Sequence, residues 1–459
     1  MPSSAQSDAL ADLQSLAGAL SDGAVLCDTD TMAAYRWDRA NAPDAGIPLA
    51  VVRVESTQEV QDVVRIASRH HVPVVVRGAG SGLSGGSTAV DGCIVISTER
   101  MRAIQIDPST RTASVEPGLM NAEVKAAAAE YGLWYPPDPS SFEFCSIGGN
   151  IATNAGGLCC VKYGVTTDYV LGMTVVLADG TAVELGGPRI KDVAGYSLMK
   201  LFVGSEGTLG IVTRAVLRLV PAQNTPHTIV ATFPTLDSAT ATVRDVCTDL
   251  RPSMMEFMDN ATINAVEDMT RMDLDRDAAG MLIMQSDEAL GSDADGVTGI
   301  CERNGATEVF ATTDPQEGEA FVAARRMAIT AVEQKGPLLL EDVGVPLPQL
   351  GQLVRGVAAI AEEQDVTIAV VAHAGDGNTH PLIVQDPDDE AQRKRAHDAF
   401  GQVMDLAIAL GGTITGEHGV GRLKKAWLPQ YLSDEAMTLN RKIKDALDPA
   451  GILGPGVIF

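Results

Sequence analysis

The residues best suited to chemistry stand in two glycine-rich strings: HAGDGNTH from His373 to His380, and GEHGVGR, which carries Glu417 and His418. Three of the chain's seven histidines lie there beside a carboxylate. Neutral imidazoles and a carboxylate oxygen suit a borderline divalent metal. A ligand set with an open position can hold the hydroxyl and carboxylate oxygens of a small substrate, and a further histidine beside it can take a proton. The plain alternative is that these histidines only bond within tight turns, but turns draw on Asn, Asp and Gly far more often than on His. The cluster points to an enzyme.

A chain of 459 residues is too long for one compact core, and two or three domains are expected. With 45% apolar residues it can fill them. A formal charge of -26 repels nucleic acid and anionic membrane surfaces, so an anionic ligand would need locally placed donors. No window approaches the roughly eighteen apolar residues of a membrane-spanning helix. The first basic residue is Arg36, preceded by Asp8 and Asp12, whereas targeting signals need a basic start. A whole chain in the cytoplasm is therefore expected. The cysteines at 27, 93, 145, 159, 160, 247 and 301 form no CxxC pair, so neither a zinc ribbon nor a cysteine-ligated iron–sulfur cluster is indicated.

Several elements must position these groups. Leu10, Leu13, Leu16 and Leu20 fall on one helical face and predict an amphipathic helix packed on something downstream. IPLAVVRV reads as a strand, residues 57 to 70 as a helix and VPVVVRG as a second strand. Further strands are expected at Ile94 to Ile96, at Met173 to Leu177 before an Asp179-Gly180 hairpin signal, and in IVTRAVLRLV up to Pro221. After Pro221 the glycine density falls. HTIVATF, a helix to about Leu250, MMEFM, AGMLIMQ, another helix and a strand near Glu308 to Thr312 suggest an α+β layer of two βαβ-like units. Helical segments close the chain around 388 to 410 and 433 to 447.

The loop RGAGSGLSGG, Arg77 to Gly86, contains GxGxxG, with Glu99 about twenty residues on. A Rossmann loop must open a helix, whereas Gly86 leads through STAVDG to a strand. Successive backbone N–H groups in such a loop can instead form an anion nest. Five glycines between residues 78 and 86 exceed the needs of a flexible turn. A second tract, residues 136 to 157, offers Ser141, Ser146, Asn150, Thr153 and Asn154 among paired glycines, and a third, GSEGTLGIV, follows from Gly204. Together they suggest a cofactor longer than a mononucleotide.

RGAGSGLSGG, PPDPSS with CSIGGNIATNAGG, VAGYSLMKLFVGSEGTLGIV, HAGDGNTH, GEHGVG and DPAGIL occur in this order. The chain thereby resembles the FAD-dependent D-2-hydroxy-acid dehydrogenases of the vanillyl-alcohol oxidase and p-cresol methylhydroxylase superfamily, over roughly residues 46 to 459. The D-lactate dehydrogenases and the flavin subunit of glycolate oxidase are the nearest types. The resemblance implies an α+β, two-domain fold: a p-cresol methylhydroxylase-type FAD-binding domain plus a ferredoxin-like FAD-linked oxidase C-terminal domain. The expected boundaries are an N-terminal helical arm at 1–45, the FAD domain at 46–222, the substrate domain at 223–411, and a segment at 412–459 returning to the flavin.

By the same resemblance Arg77, Gly78, Ala79, Gly80, Ser81, Gly82 and Leu83 would cradle the FAD diphosphate. Pro137, Asp138, Ser141, Cys145, Ser146, Gly149, Asn150, Thr153, Asn154 and Gly156, with Glu206, Gly210 and Ile211, would line the rest of the cofactor, and Asn378 would reach the flavin or the metal shell. Ser81 stands where some members carry an attachment histidine, so the FAD is expected to be non-covalent. His373, His380 and Glu417 match metal ligands, with zinc ahead of manganese, and His418 matches the general base. The same resemblance favours Arg325 over Arg326 for the substrate carboxylate, and only one of them can face the site because adjacent helical residues diverge by about 100 degrees.

Where the 2-hydroxyglutarate branch carries a lysine, this chain has Leu340, Glu341 and Asp342. That favours a small monocarboxylic D-2-hydroxy acid of the lactate or glycolate kind over a dicarboxylate. A flavin-dependent transferase resembling alkylglycerone-phosphate synthase is the other reading, but its run of histidines is missing. Ser146 and Ser197 depart from a usual threonine and aspartate. A separate electron acceptor is required, no nucleic acid or membrane span is expected, and a homodimer is compatible with the family.

Overall fold

The computed structural model describes residues 3–42, 44–288 and 292–459. Met1, Pro2 and Pro43 of the expected arm, and residues 289–291 of the expected substrate domain, lie outside the described residues. The chain divides into two compact units. The first holds Met1–Ala155, Val165–Ala222 and Glu417–Phe459; the second holds Gly156–Gly164 and Gln223–Gly416. The arm therefore belongs to the body of the first unit, a nine-residue excursion belongs to the second, and the returning segment enters the first unit at Glu417 rather than at 412.

In the first unit, β1 (Val25–Leu26), β2 (Ala50–Arg53), β3 (Val74–Arg77) and β4 (Ile94–Ser97) form one sheet in the order β1-β2-β4-β3. The last three are parallel, and parallel neighbours need a crossover. The helix Thr57–His70 supplies it: Ser56 caps the Glu59 amide, Val60, Val63, Val64 and Ala67 bury one face, and His71 in the left-handed region ends it. The helix Ser4–Ala17, closed by a Ser3–Gln6 capping box, buries Leu13 in the same core, and its Asp12 holds Arg69 and His70 at 2.9 Å. This is the downstream partner that the leucine pattern required. Residues 78–93, between β3 and β4, contain no helix, as an anion nest allows and a Rossmann turn does not.

A second, antiparallel sheet has the order β5-β6-β10-β8-β9, with β5 (Ile104–Asp107), β6 (Thr112–Val115), β8 (Val170–Val176), β9 (Ala182–Gly186) and β10 (Ile211–Arg218). β8 and β9 pair across the Asp179-Gly180 turn. Alternating burial along β10 marks one packed face. A short pair, β7 (Leu133–Trp134) with β11 (Val220–Pro221), completes the strands of this unit.

The second unit opens with β12 (His227–Phe233), the helix Leu236–Asp249 and β13 (Met254–Asp259), followed by β14 (Gly280–Ser286), the helix Ser292–Arg303 and β15 (Glu308–Thr312). Their order, β15-β12-β14-β13, inserts β14 between β12 and β13, which is the split βαβ arrangement of a ferredoxin-like layer. The sheet continues beyond that layer. β18 (Ile368–His373) pairs with β13, β19 (Asn378–Val384) pairs with β18, and β16 (Leu338–Leu340) and β17 (Val343–Gly344) pair with β19. Among the described residues no helix is long and apolar enough to cross a membrane.

Leu13 is fully enclosed between its own helix and the Thr57–His70 helix. Replacing it with Ala should lower stability by about 2–5 kcal/mol in denaturant unfolding. A loss below about 1 kcal/mol would show that the first helix lies loosely on this core.

Candidate active site

The HAGDGNTH string is the turn of the β18–β19 hairpin. His373 ends β18 opposite Asn378, and Val371 lies opposite His380, so His373, Asn378 and His380 share one face of the sheet. On the other side of β18, Glu256 of β13 lies directly opposite His373 and joins the same face. Both imidazoles are buried, their ring centroids 5.1 Å apart and nearly perpendicular, with a ligand atom of each within 4.8 Å of the other's. Pairing alone thus brings two metal-type donors together.

Glu256 is fully buried and accepts from His373 Nδ1 at 2.8 and 3.0 Å through its two oxygens. A carboxylate oxygen beside an imidazole nitrogen acts as acceptor, a pairing that calls for the imidazole proton on Nδ1 and makes Nε2 the ring's acceptor. Glu256 Oε2 also lies 2.7 Å from Arg325 Nη2, and Arg325 is 2% exposed. Arg325 Nε has no acceptor among the described residues, which fits a bound oxygen ligand. Arg326 instead pairs with Glu319 of the same helix, Pro315–Arg326, at 2.9 Å. Asn378 Oδ1 is likewise buried without a donor among the described residues, and its side chain lies against Gly416.

Asp342, fully buried after β16, accepts from Thr415 Oγ1 at 2.7 Å and from the Gly416 amide at 3.0 Å. Its other oxygen stands 3.8 Å from His380 Nδ1, an ion-pair distance longer than a hydrogen bond. The next residues along the chain are Glu417 and His418. Within the first unit, His418 Nε2 lies 3.5 Å from Glu417 Oε1, and the His418 carbonyl accepts from Ser84 Oγ at 3.0 Å. The Ser84 carbonyl accepts in turn from the Arg422 and Leu423 amides. Gly421, at φ +55°, is tight against it: an added Cβ would fall 1.9 Å from that carbonyl oxygen.

Glu206 closes the same turn from beneath, accepting from the Val420 and Gly421 amides at 2.8 Å each. Burial pushes its carboxyl up to about 7, partly offset by those two amides and by Lys424, with Asp38 adding to the rise. Glu206 therefore acts on the backbone that carries His418.

The first glycine loop presents Gly78 to Leu83 half-buried. The carbonyls of Gly80 and Gly82 accept from the Arg39 and Ala40 amides, while the amides of Ser81, Gly82 and Leu83 have no acceptor among the described residues. Amides left in this way fit a diphosphate. Ser146 Oγ accepts from both Ala79 N and Gly149 N at 3.3 Å, locking this loop to the second tract, and a Cβ on Gly78 would fall 2.2 Å from it.

Other residues expected against the cofactor have their side chains engaged by protein. Arg77 bonds the carbonyls of Trp37 and Ala34. Asn150 bonds Asn121 and the buried Cys145, whose thiol is pushed up by burial. Thr153 bonds the Gly149 carbonyl, Asn154 accepts from Thr167, and the Pro137 carbonyl accepts from Asn121. Asp138 is buried, Ser141 bonds Cys145, and Gly210 and Ile211 pack into the core, Gly210 against Val175 and Phe202. Gly156 falls in the second unit. What these positions leave for a cofactor is mainly backbone. Glu256, Asp342 and Ser84 were not singled out as site residues from the sequence. A single carboxylate inside the apolar run MMEFM was the available signal for Glu256, because a buried charge needs a partner; Ser84 had none.

The folded Glu206 carboxyl titrates near 7 instead of the ordinary 4.5, so between those values the folded chain keeps a proton that the unfolded chain releases. Its contribution to stability is full below the unfolded value and is lost as pH rises through about 7. Thermal unfolding should therefore show a melting temperature that falls over this window, with the fall reduced in Glu206→Gln. Equal slopes for the two proteins would remove Glu206 as the titrating group.

Residues 48–186 match the family described as FAD binding domain, and residues 223–458 match FAD linked oxidases, C-terminal domain. The chain is 40% identical over 431 residues to the glycolate oxidase subunit GlcD of Bacillus subtilis (strain 168), covering 93% of this chain and 92% of that protein. It is 34% identical over 431 residues to a D-lactate dehydrogenase of Archaeoglobus fulgidus, covering 93% and 95%. Its fold superposes on p-cresol methylhydroxylase solved with substrate bound, at a TM-score of 0.83 and 18% identity, over 99% of this chain and 97% of the other. By both domain matches and by identity along nearly its full length to these relatives, the chain belongs to the FAD-linked oxidases, together with the GlcD subunits and D-lactate dehydrogenases.

Proposed function

We propose that the protein oxidises a small D-2-hydroxy acid, of the lactate or glycolate kind, to the corresponding 2-oxo acid. The observation that carries this reading is the shared face of Glu256, His373, Asn378 and His380, with Arg325 held against it. FAD, when bound, supplies the two-electron acceptor. A divalent metal, zinc ahead of manganese, supplies Lewis acidity at the substrate hydroxyl when bound. In this reading His373 Nε2 and His380 provide nitrogen ligands, and Glu417, following the anchored Gly416, completes the set.

Arg325 orients the substrate carboxylate. Its Nε, without an acceptor among the described residues, can donate to an oxygen, and its planar fork suits a carboxylate. His418 takes the hydroxyl proton, its backbone steadied by Ser84 and by the two amides that Glu206 holds. The stretch Leu338–Asp342 offers no cation for a second carboxylate and buries two acidic side chains instead, which supports a monocarboxylic substrate. Among the described residues no cysteine is in a disulfide, and a separate acceptor takes the electrons.

Anaerobic bleaching of the visible flavin band, measured against a panel of D- and L-2-hydroxy acids, tests the reading. D-lactate or glycolate should bleach it and D-2-hydroxyglutarate should not; bleaching by the dicarboxylate alone would overturn the substrate assignment. His418→Ala should slow flavin reduction by roughly 100- to 10,000-fold with much less effect on substrate affinity. Full turnover after exhaustive chelation would remove the metal roles of His373, His380 and Glu417. Arg325→Met should raise KM for the acid by at least about tenfold, as expected for the loss of a charge-assisted bond.

A further inference from the structure

Resting on the metal and substrate roles just proposed, we infer that Glu256 is a positioning residue that serves both of them: it holds His373 with its proton on Nδ1 and Nε2 turned to the metal, and it carries the counter-charge of Arg325. The strand register leaves little freedom. Glu256 and His373 are direct cross-strand partners, so their side chains project from the same face a strand spacing apart. Both carboxylate oxygens reach Nδ1, at 2.8 and 3.0 Å, and one of them is also 2.7 Å from the guanidinium. All three side chains are 4% exposed or less. In that enclosure a guanidinium without a counter-charge, or an Nδ1 lone pair turned on the carboxylate, would be costly.

One carboxylate thus links the group proposed for the metal to the group proposed for the substrate. A residue that only balanced Arg325 would be dispensable once Arg325 was also removed. One that orients His373 would not. This difference separates positioning from packing.

The experiment measures zinc affinity by competition with a chromogenic chelator on FAD-loaded protein, with the flavin spectrum and melting temperature as folding controls. Glu256→Gln should bind zinc about 10- to 100-fold more weakly, the usual cost of losing the partner of a ligating histidine. The double variant E256L/R325L removes both buried charges and keeps the fold should the single variant fail; it should remain as weak. Zinc affinity within twofold of the parent in either folded variant overturns the inference. Long-range proton–nitrogen NMR on the metal-free parent, with His373 assigned through His373→Gln, should show the proton on Nδ1; a proton on Nε2 overturns it independently of any variant. A parent that takes up neither zinc nor manganese overturns the metal reading itself, whereas parent uptake with an unchanged E256Q variant overturns this inference alone.

Discussion

The register between β13, β18 and β19 is the constraint on which the second unit's chemistry depends. Glu256 faces His373 across one strand boundary, and His373 faces Asn378 across the next. Because side chains alternate with a period of two, a slip of one residue in either pairing would turn part of the set to the opposite face. Apolar burial on both faces of β18 enforces the register, since all six of its residues are buried. The polar groups occupy a place that the surrounding Val, Ile and Ala side chains have already fixed.

The first unit reaches comparable control with backbone. Glu206 takes the Val420 and Gly421 amides, and Ser84 takes a carbonyl on one side and gives its own on the other, so the turn bearing His418 is defined by main-chain bonds. Ser146 does the same between the first and second glycine tracts through a single hydroxyl. Small residues dominate these segments because close backbone approach is the structural requirement, and a Cβ at Gly78 or Gly421 would collide with the atom that holds it.

Much of this was legible from local pattern. The helix at 57–70, the strand His227–Phe233 and the strand Glu308–Thr312 coincide with their sequence expectations because periodicity and caps are local properties. The histidines stand out in the sequence because imidazoles are uncommon in glycine-rich turns, whereas Arg325 is indicated there only by the family resemblance. The Glu256 partnership was not legible, because it depends on a pairing between residues 117 apart that no window of sequence contains. Asn150 reads as ligand-facing in the sequence because it is polar, yet its side chain bonds Cys145 and Asn121. Polarity marks a need for partners without naming them.

The bond between Ser84 and His418 spans 334 residues of chain. At synthesis rates of about 5–20 residues per second, His418 emerges roughly 17–70 s after Ser84. Until then the loop between β3 and β4 lacks the carbonyl that its serine holds and the two amides that close on its own carbonyl. The glycine loop between β3 and β4 therefore stays without these main-chain partners until residues made long after it arrive, so its final shape is set late in synthesis.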